Sequence, residues 1–163
     1  MQEIKFKGEK VKLQGESLEL FQKVPDFELT KEDLSRVTLN DFKEENIILN
    51  IFPSVDTPVC SISVKRFNKE VASKKNLLLI CISKDLPFAQ KRFCQLETIE
   101  NALMLSDFRD GFLSYGLKMI EGPLSGLLAR AVLVLNHKRE LIYKEIVEEL
   151  TSEPDYESIL RKI

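Results

Sequence analysis

The sequence predicts an α/β fold in which a mixed central sheet is flanked by helices and preceded by an N-terminal β-hairpin. Nearly continuous apolar runs at residues 46–52 and 77–82 are typical of strands that are buried on both faces. Segments with helical spacing of apolar side chains follow these runs, and buried strands that alternate with helices form parallel sheets. Two further strands near the C-terminus are joined by a short turn, which adds antiparallel pairing.

Each element has its own local signal. Residues 4–7 and 11–13 alternate apolar and polar side chains around a turn that contains Gly8, as a half-exposed hairpin does. Further strands are predicted at residues 37–39, 46–52, 77–82, 102–105, 129–135 and 140–147, and helices at residues 59–71, 87–96, 112–115 and 154–162. Pro87 and Pro154 suit the first turn of a helix. This order of elements is that of a thioredoxin-like domain behind a hairpin.

Length and composition limit the possible functions. A chain of 163 residues without repeats or Gly/Ser-rich linkers is expected to form a single domain over residues 1–163. The 24 basic and 26 acidic side chains nearly cancel, so nucleic-acid binding is not expected. No apolar run is long enough to cross a membrane, and the N-terminus lacks the apolar core of a signal peptide. We therefore expect a cytoplasmic protein, whose three cysteines are too few for a disulfide scaffold.

Cys60 is the candidate nucleophile. It is predicted to lie in the first turn of a helix, where Thr57 or Asp56 caps the helix and Pro58 suits the opening position. Unpaired N–H groups and the helix dipole favour a thiolate at such a place. From position alone, a buried cysteine that only fills space is the alternative.

Arg130 is the candidate cation for this thiolate. An ordinary thiol has a pKa of about 8.5, and lowering it to about 6 requires roughly 3.4 kcal/mol. A helix terminus supplies at most about 2 kcal/mol, so a nearby permanent cation is needed. Arg130 interrupts the apolar run at residues 127–133, where an arginine is rare without a partner. The alternative is an arginine at the entry of a strand with its head in water.

The remaining candidates carry less chemistry on their own. Cys94, in the second predicted helix, becomes a candidate resolving thiol only if Cys60 is reactive. Cys81 in a core strand is expected to be inert, His137 to be exposed in a charged turn, and the acidic residues 145–153 to form a solvated face. Neither zinc-type Cys/His spacing nor a glycine-rich nucleotide loop occurs, so we predict no metal and no other cofactor.

Two long motifs resemble the bacterial thiol peroxidases, an atypical two-cysteine subfamily of the peroxiredoxins. Residues 53–60, PSVDTPVC, match the peroxiredoxin signature P-x-x-x-T-x-x-C, with an S-V-D insert similar to that of the subfamily. Residues 83–94, SKDLPFAQKRFC, are similar to the segment that carries its resolving cysteine. The resemblance continues through LSDFR at 105–109, GPL at 122–124, GLLARAV at 126–132 and EPDY at 153–156.

The resemblance implies roles for five residues. Cys60 is implied to be the peroxidatic thiolate, which becomes a sulfenic acid, and Cys94 the resolving thiol, which then forms an intramolecular disulfide with it. Thr57 is implied to hydrogen-bond the peroxide and the thiolate, Pro53 to shield the pocket, and Arg130 to supply the cation. The implied substrates are hydrogen peroxide and alkyl hydroperoxides, and the implied reductant is thioredoxin.

A homodimer is also implied, with a contact near the active site to which Tyr115 or Leu117 contributes. Because a disulfide needs Cα atoms within about 4.4–6.8 Å, the first turn that holds Cys60 and part of the Cys94 helix are expected to unwind after oxidation. Two alternatives remain open. One is a redox sensor whose oxidation signals to a partner without turnover, and the other is monothiol exchange through CSIS at 60–63.

Overall fold

The structure, a computed structural model, describes residues 2–43 and 45–163, in which seven strands form a mixed sheet and two form a hairpin. The strands are β1 (Glu3–Phe6), β2 (Glu9–Lys12), β3 (Glu28–Thr30), β4 (Arg36–Thr38), β5 (Asn46–Ile51), β6 (Leu77–Ser83), β7 (Ala102–Ser106), β8 (Ala131–Leu135) and β9 (Leu141–Ile146). The helices are α1 (Pro58–Val71), α2 (Pro87–Glu97) and α3 (Tyr156–Leu160), and 3₁₀ helices lie at Leu39–Asp41 and Leu113–Tyr115.

The sheet has the strand order β4-β3-β7-β6-β5-β8-β9. β5, β6 and β7 are parallel, whereas β3, β8 and β9 each pair antiparallel with a neighbour. β1 and β2 form the separate N-terminal hairpin, and Lys7 and Gly8 in its turn both have positive φ, 51° and 84°, as a type I′ turn requires. The predicted mixed sheet, flanking helices and hairpin are thereby confirmed. Because parallel strands end at the same edge, the segments that follow β5, β6 and β7 lie together.

Two apolar clusters lie on opposite faces of the sheet. Ile48 belongs to the cluster under the three helices, together with Phe67 of α1, whereas Leu49 belongs to the cluster that includes Leu13 and Tyr115. This division follows from the strand itself, since successive side chains of β5 point to opposite faces. The near-continuous apolar run that predicts β5 therefore reflects burial on both sides.

Three differences from the predicted elements have local causes. No pattern predicts β3, because three residues are too few to show a periodicity. The C-terminal helix is shorter than residues 154–162, because Asp155 caps it by accepting a hydrogen bond from the Ser158 N–H at 3.2 Å. Pro154 therefore precedes this helix. β8 begins two residues later than predicted, because the Ala129 N–H bonds instead to the Leu117 carbonyl at 2.8 Å. None of the described helices is long and apolar enough to cross a membrane.

Candidate active site

Cys60 lies in the first turn of α1, next to the edge where β5 ends. A loop of residues 53–57 leads into the helix, whose first residue is a proline, as predicted. A helical hydrogen bond runs from the Ser61 N–H to the Thr57 carbonyl at 3.1 Å. The N–H groups of Val59 and Cys60 precede it and have no acceptor within the helix. The first turn therefore presents partial positive charge where an anionic sulfur or oxygen is to be held.

The Arg130 guanidinium contacts the Cys60 thiol. Its Nη1 lies 3.3 Å from Cys60 Sγ, and its Nε donates to the Leu150 carbonyl at 2.9 Å. Both side chains are buried, with exposed fractions of 0% for Cys60 and 3% for Arg130. The alternative of an arginine with its head in water is therefore wrong. A permanent cation is thus in contact with the sulfur and shielded from solvent, where it can stabilise negative charge on the reacting atoms.

Thr57 lies at the N-cap of α1, but its side chain makes no capping hydrogen bond. The Thr57 hydroxyl donates instead to the Ser54 carbonyl at 3.0 Å. The predicted cap is therefore wrong in its contact, although the residue stands at the predicted position. Only the lone pairs of this hydroxyl, or a rotation about its side chain, are available to a peroxide. Pro53 is buried at the start of the same loop.

Cys94 lies on α2 and is half-buried. The helix turns Pro87, Gln90 and Phe93 toward the sheet, so Cys94 packs at the margin of the buried face. Burial, and after it the negative charge of Glu32, raises the pKa of the Cys94 thiol to about 12. The thiol is thus protonated and a poor nucleophile in this conformation. No sequence pattern points to Glu32, because its proximity to Cys94 arises only from the tertiary fold.

A cleft of about 310 Å³ separates the first turn of α1 from α2. Its apolar lining consists of Val55, Pro58, Ala89, Phe93 and Leu96. Neither Cys60 nor Cys94 lines this cleft, and all three cysteines are free thiols. The cleft thus lies between the helices that carry the two thiols, and each thiol packs against other surroundings.

Asp85, which the sequence analysis did not single out, holds the loop that leads to Cys60. The Ser54 hydroxyl donates to Asp85 Oδ1 at 2.7 Å, and the Val55 N–H donates to Oδ2 at 2.9 Å. The Ser83 hydroxyl donates to the same Oδ2 at 2.6 Å. Asp85 stands within the motif at residues 83–94, but the two loop residues that donate to it are about 30 positions away, beyond the reach of any local pattern.

The remaining side chains considered in the sequence, those of Cys81, His137 and the acidic residues at 145–153, form no hydrogen bond with Cys60 or Arg130 among the described residues. Burial raises the pKa of Cys81 to about 12, as expected of an inert core thiol, and His137 is exposed as predicted. Within the acidic residues 145–153, Glu148 and Glu153 are exposed as predicted, and the Glu149 carboxylate also accepts the Gly8 N–H at 2.8 Å in a solvent-exposed hydrogen bond. The described residues contain no group of three or more His, Cys, Asp and Glu side chains that could hold a metal ion.

The residues expected at a dimer contact are also placed differently. Tyr115 and Leu117 are only 1% and 2% exposed, so their side chains belong to the core. Tyr115 stacks on Phe112 with ring centroids 4.1 Å apart, and its hydroxyl donates to the Pro25 carbonyl at 2.6 Å. The expectation that either side chain contributes to a contact between two copies is therefore wrong.

The redoxin family profile matches residues 21–160 of the chain. The chain belongs to the redoxin family. A thiol peroxidase from Mycobacterium tuberculosis is 43% identical to this redoxin over 161 residues, which cover 98% of this chain and 97% of that protein. A peroxiredoxin-like protein from Aquifex aeolicus superposes with a TM-score of 0.95 at 35% identity, covering 99% of this chain and 95% of that one.

A thiol peroxidase from Chromobacterium violaceum has the same fold as this redoxin, with a TM-score of 0.89. Its identity is 22%, and the match covers 98% of this chain and 94% of that one. These similarities confirm the thioredoxin-like fold and the resemblance to thiol peroxidases stated from the two motifs.

Proposed function

We propose that this redoxin reduces hydrogen peroxide and alkyl hydroperoxides with Cys60 as the peroxidatic residue. Thiol-dependent peroxide reduction follows from the 43% identity to a thiol peroxidase over nearly the whole chain. The observation that carries the assignment to Cys60 is its contact with the buried Arg130, whose Nη1 lies 3.3 Å from the sulfur. Of the three cysteines, Cys60 also has the position that anion stabilisation requires, in the first turn of a helix.

In the first step the Cys60 thiolate attacks the distal oxygen of the peroxide. An S–O bond forms, the O–O bond breaks, and the sulfur gives two electrons to the departing alkoxide or hydroxide, which takes up a proton. The products are a Cys60 sulfenic acid and an alcohol or water. Arg130 and the free N–H groups of the first turn lower the barrier, because they stabilise the negative charge that passes from sulfur to oxygen.

In the second step the Cys94 sulfur attacks the sulfenic sulfur and loses its proton. The S–O bond breaks, water leaves, and a Cys60–Cys94 disulfide forms. Because Cys60 is fully buried and Cys94 packs on a separate helix, the first turn of α1 and part of α2 unwind before the sulfurs meet. The dithiol of thioredoxin then reduces the disulfide, restoring two protein thiols and leaving oxidised thioredoxin.

The assembly that suits this site is a homodimer. Apolar side chains are exposed on the segments that follow β6 and β7, whose ends lie at the same edge of the sheet as the end of β5: Leu86, Phe88, Phe108 and Leu113. A second copy of the chain would cover this patch, and Phe88→Asp should therefore lower the mass measured by analytical ultracentrifugation to that of a monomer. A reducing cytoplasm, where thioredoxin is available, is the compartment that fits the cycle.

Mass spectrometry after one equivalent of peroxide tests the assignment. The expected product is one intramolecular disulfide between Cys60 and Cys94, with Cys81 still alkylatable after unfolding. A parallel assay with thioredoxin, its reductase and NADPH should show continuous peroxide consumption that Cys60→Ser abolishes and Cys81→Ser retains. Oxidation of Cys60 without turnover in this assay would instead identify a redox sensor, and a disulfide that includes Cys81 would overturn the assignment of Cys94.

A further inference from the structure

Asp85 connects the two segments that separate during the proposed cycle. It lies between β6 and α2, immediately before the helix that carries Cys94. Its carboxylate accepts hydrogen bonds from Ser54 and Val55, in the loop that leads to Cys60. Both oxygens of the carboxylate are used by this loop, one by a hydroxyl and the other by a backbone N–H. A single side chain therefore ties the peroxidatic loop to the start of the resolving helix.

The Asp85 carboxylate is itself fixed by the ends of the parallel strands. Ser83, the last residue of β6, donates its hydroxyl to Oδ2 at 2.6 Å, and Ser106, the last residue of β7, donates its hydroxyl to the Asp85 carbonyl oxygen. The buried Gln90 extends this network by donating to the Ser83 hydroxyl at 3.1 Å and to the Leu105 carbonyl at 2.9 Å. The acceptor for the loop is therefore part of the rigid sheet.

Ser54 passes this restraint on to the rest of the loop. Its hydroxyl oxygen accepts the Asp56 N–H at 3.1 Å, and its carbonyl accepts both the Thr57 N–H at 3.2 Å and the Thr57 hydroxyl at 3.0 Å. Thr57, the N-cap of α1, is thus held by hydrogen bonds to Ser54, and Ser54 is held by its hydrogen bond to Asp85. Loss of the carboxylate removes the common acceptor of this arrangement.

We propose that Asp85 is a positioning residue that keeps residues 53–57 in the conformation that reduces peroxide, and that this contact opens before Cys60 and Cys94 join. The inference rests on the proposed function of the two cysteines. Hydrogen bonds to an ionised carboxylate are stronger than those between neutral groups. They therefore stabilise the ordered conformation of the loop relative to its unwound conformations. The contact therefore accelerates the peroxide step, which needs the folded first turn, and slows the disulfide step, which needs it unwound.

Two variants and one matched control test this opposite effect. Asp85→Asn weakens every contact of the carboxylate. Ser54→Ala removes the hydroxyl that donates to Asp85 and accepts the Asp56 N–H, but leaves the carboxylate and its contacts with Val55 and Ser83. Asp155→Asn is the control, because Asp155 accepts the same two kinds of donor, the Ser158 N–H at 3.2 Å and the Ser158 hydroxyl at 2.6 Å, at the start of α3. Reduced proteins are mixed with peroxide and quenched with acid, and mass spectrometry then measures the sulfenic acid and the disulfide separately.

Asp85→Asn is expected to slow Cys60 oxidation about tenfold and to speed disulfide formation several-fold, as the loss of one charged hydrogen bond would. Ser54→Ala should change both rates in the same directions by a smaller factor, and Asp155→Asn should change neither. Unchanged rates, or an equal slowing of both steps, would overturn the proposal. Ser54→Ala retains the carboxylate and its contacts with the sheet. If Asp85→Asn does not fold, the two rates measured for Ser54→Ala therefore test the proposal.

Amide hydrogen exchange provides a readout that does not depend on peroxide. The informative group is the Thr57 N–H, because its acceptor is the Ser54 backbone carbonyl, which neither variant changes. In the reduced proteins this N–H should exchange several-fold faster in both variants than in the unmodified chain, and unchanged exchange would contradict the positioning role of Asp85. A chain that consumes no peroxide but shows this faster exchange in the variants refutes the proposed function alone. The failures of the two proposals are thereby distinguished.

Discussion

Replacing Arg130 with methionine tests the electrostatic basis of the site. The substitution removes the charge but retains an apolar side chain of similar length in a buried position. With the guanidinium nitrogen 3.3 Å from the sulfur, two unit charges interact by about 5 kcal/mol at an effective dielectric constant of about 20, and by about 1 kcal/mol in bulk water. Desolvation opposes part of this gain. We therefore expect peroxide reduction at pH 7 to fall by roughly 10- to 1000-fold, the range that an adjacent opposite charge produces.

The pH dependence separates this electrostatic loss from a structural one. The rate constant for peroxide consumption is measured from pH 6 to pH 9.5 in the thioredoxin-coupled assay. In Arg130→Met it should rise steeply toward alkaline pH, because the buried sulfur then lacks the cation that stabilises its ionised form. Arg130→Lys should be intermediate, since an ammonium retains the charge but cannot contact Cys60 and the Leu150 carbonyl with one planar group.

A thermal melt is the necessary control for these variants. Arg130 donates to the buried Leu150 carbonyl, and an unsatisfied buried acceptor costs about 1–3 kcal/mol of unfolding free energy. The assay temperature must therefore lie well below the melting temperature of Arg130→Met. A folded Arg130→Met protein with an unchanged rate would refute the role of the cation. A loss of equal size at every pH would show that Arg130 acts only through the fold.

Three further predictions concern the other charged and thiol groups. Cys94→Ser should consume one equivalent of peroxide and then stop, with the Cys60 sulfenic acid trapped by dimedone; continued turnover would contradict the resolving role. Glu32→Gln should lower the pKa of Cys94 from about 12 and speed its alkylation by iodoacetamide at pH 9, because it removes the second cause of that raised pKa, and an unchanged rate would argue against this. The pKa of Glu149 falls from 4.5 to about 2 on folding, chiefly because it accepts backbone N–H groups, so its ionised form stabilises the fold above pH 4.5 and this contribution is lost as the pH falls toward 2. Glu149→Gln should therefore flatten the acid dependence of the melting temperature in that range, as measured by circular dichroism.

The parts of the site that follow from burial are predictable from the sequence. Cys60 follows an apolar strand and a proline that suits the start of a helix. This combination places the cysteine in the first turn of the helix, where backbone N–H groups have no acceptor within the helix. Arg130 is recognisable because a charge within an apolar run must find a partner. Each signal lies within a few residues: for Arg130 it is a charge inside an apolar run, and for Cys60 it is the connection between a strand and a helix. The structure places the two side chains in contact.

The contacts that order the site are not predictable in this way. Asp85 and Glu149 stand in polar segments, where a carboxylate creates no conflict and needs no explanation. The loop residues that donate to Asp85 lie about 30 positions away in sequence, and the hairpin residues that donate to Glu149 lie about 140 positions away. Glu32 affects Cys94 only because the segment after β3 approaches α2 in the tertiary fold. Tyr115 shows the converse case, since an aromatic residue near a glycine has the same local appearance in a core as at an interface.

The contact between Arg130 and Cys60 also connects the chemistry to the conformational change. While the sulfur is a thiolate, its attraction to the guanidinium stabilises the folded first turn of α1, in addition to the hydrogen bonds that Asp85 accepts from Ser54 and Val55. Conversion to a sulfenic acid neutralises the sulfur, so this attraction, about 1–5 kcal/mol by the same Coulomb arithmetic, is largely lost. Unwinding of the turn therefore becomes easier at the moment when the second step requires it. In the proposed cycle, reduction of the disulfide would restore the thiolate and with it the interaction that favours the folded turn.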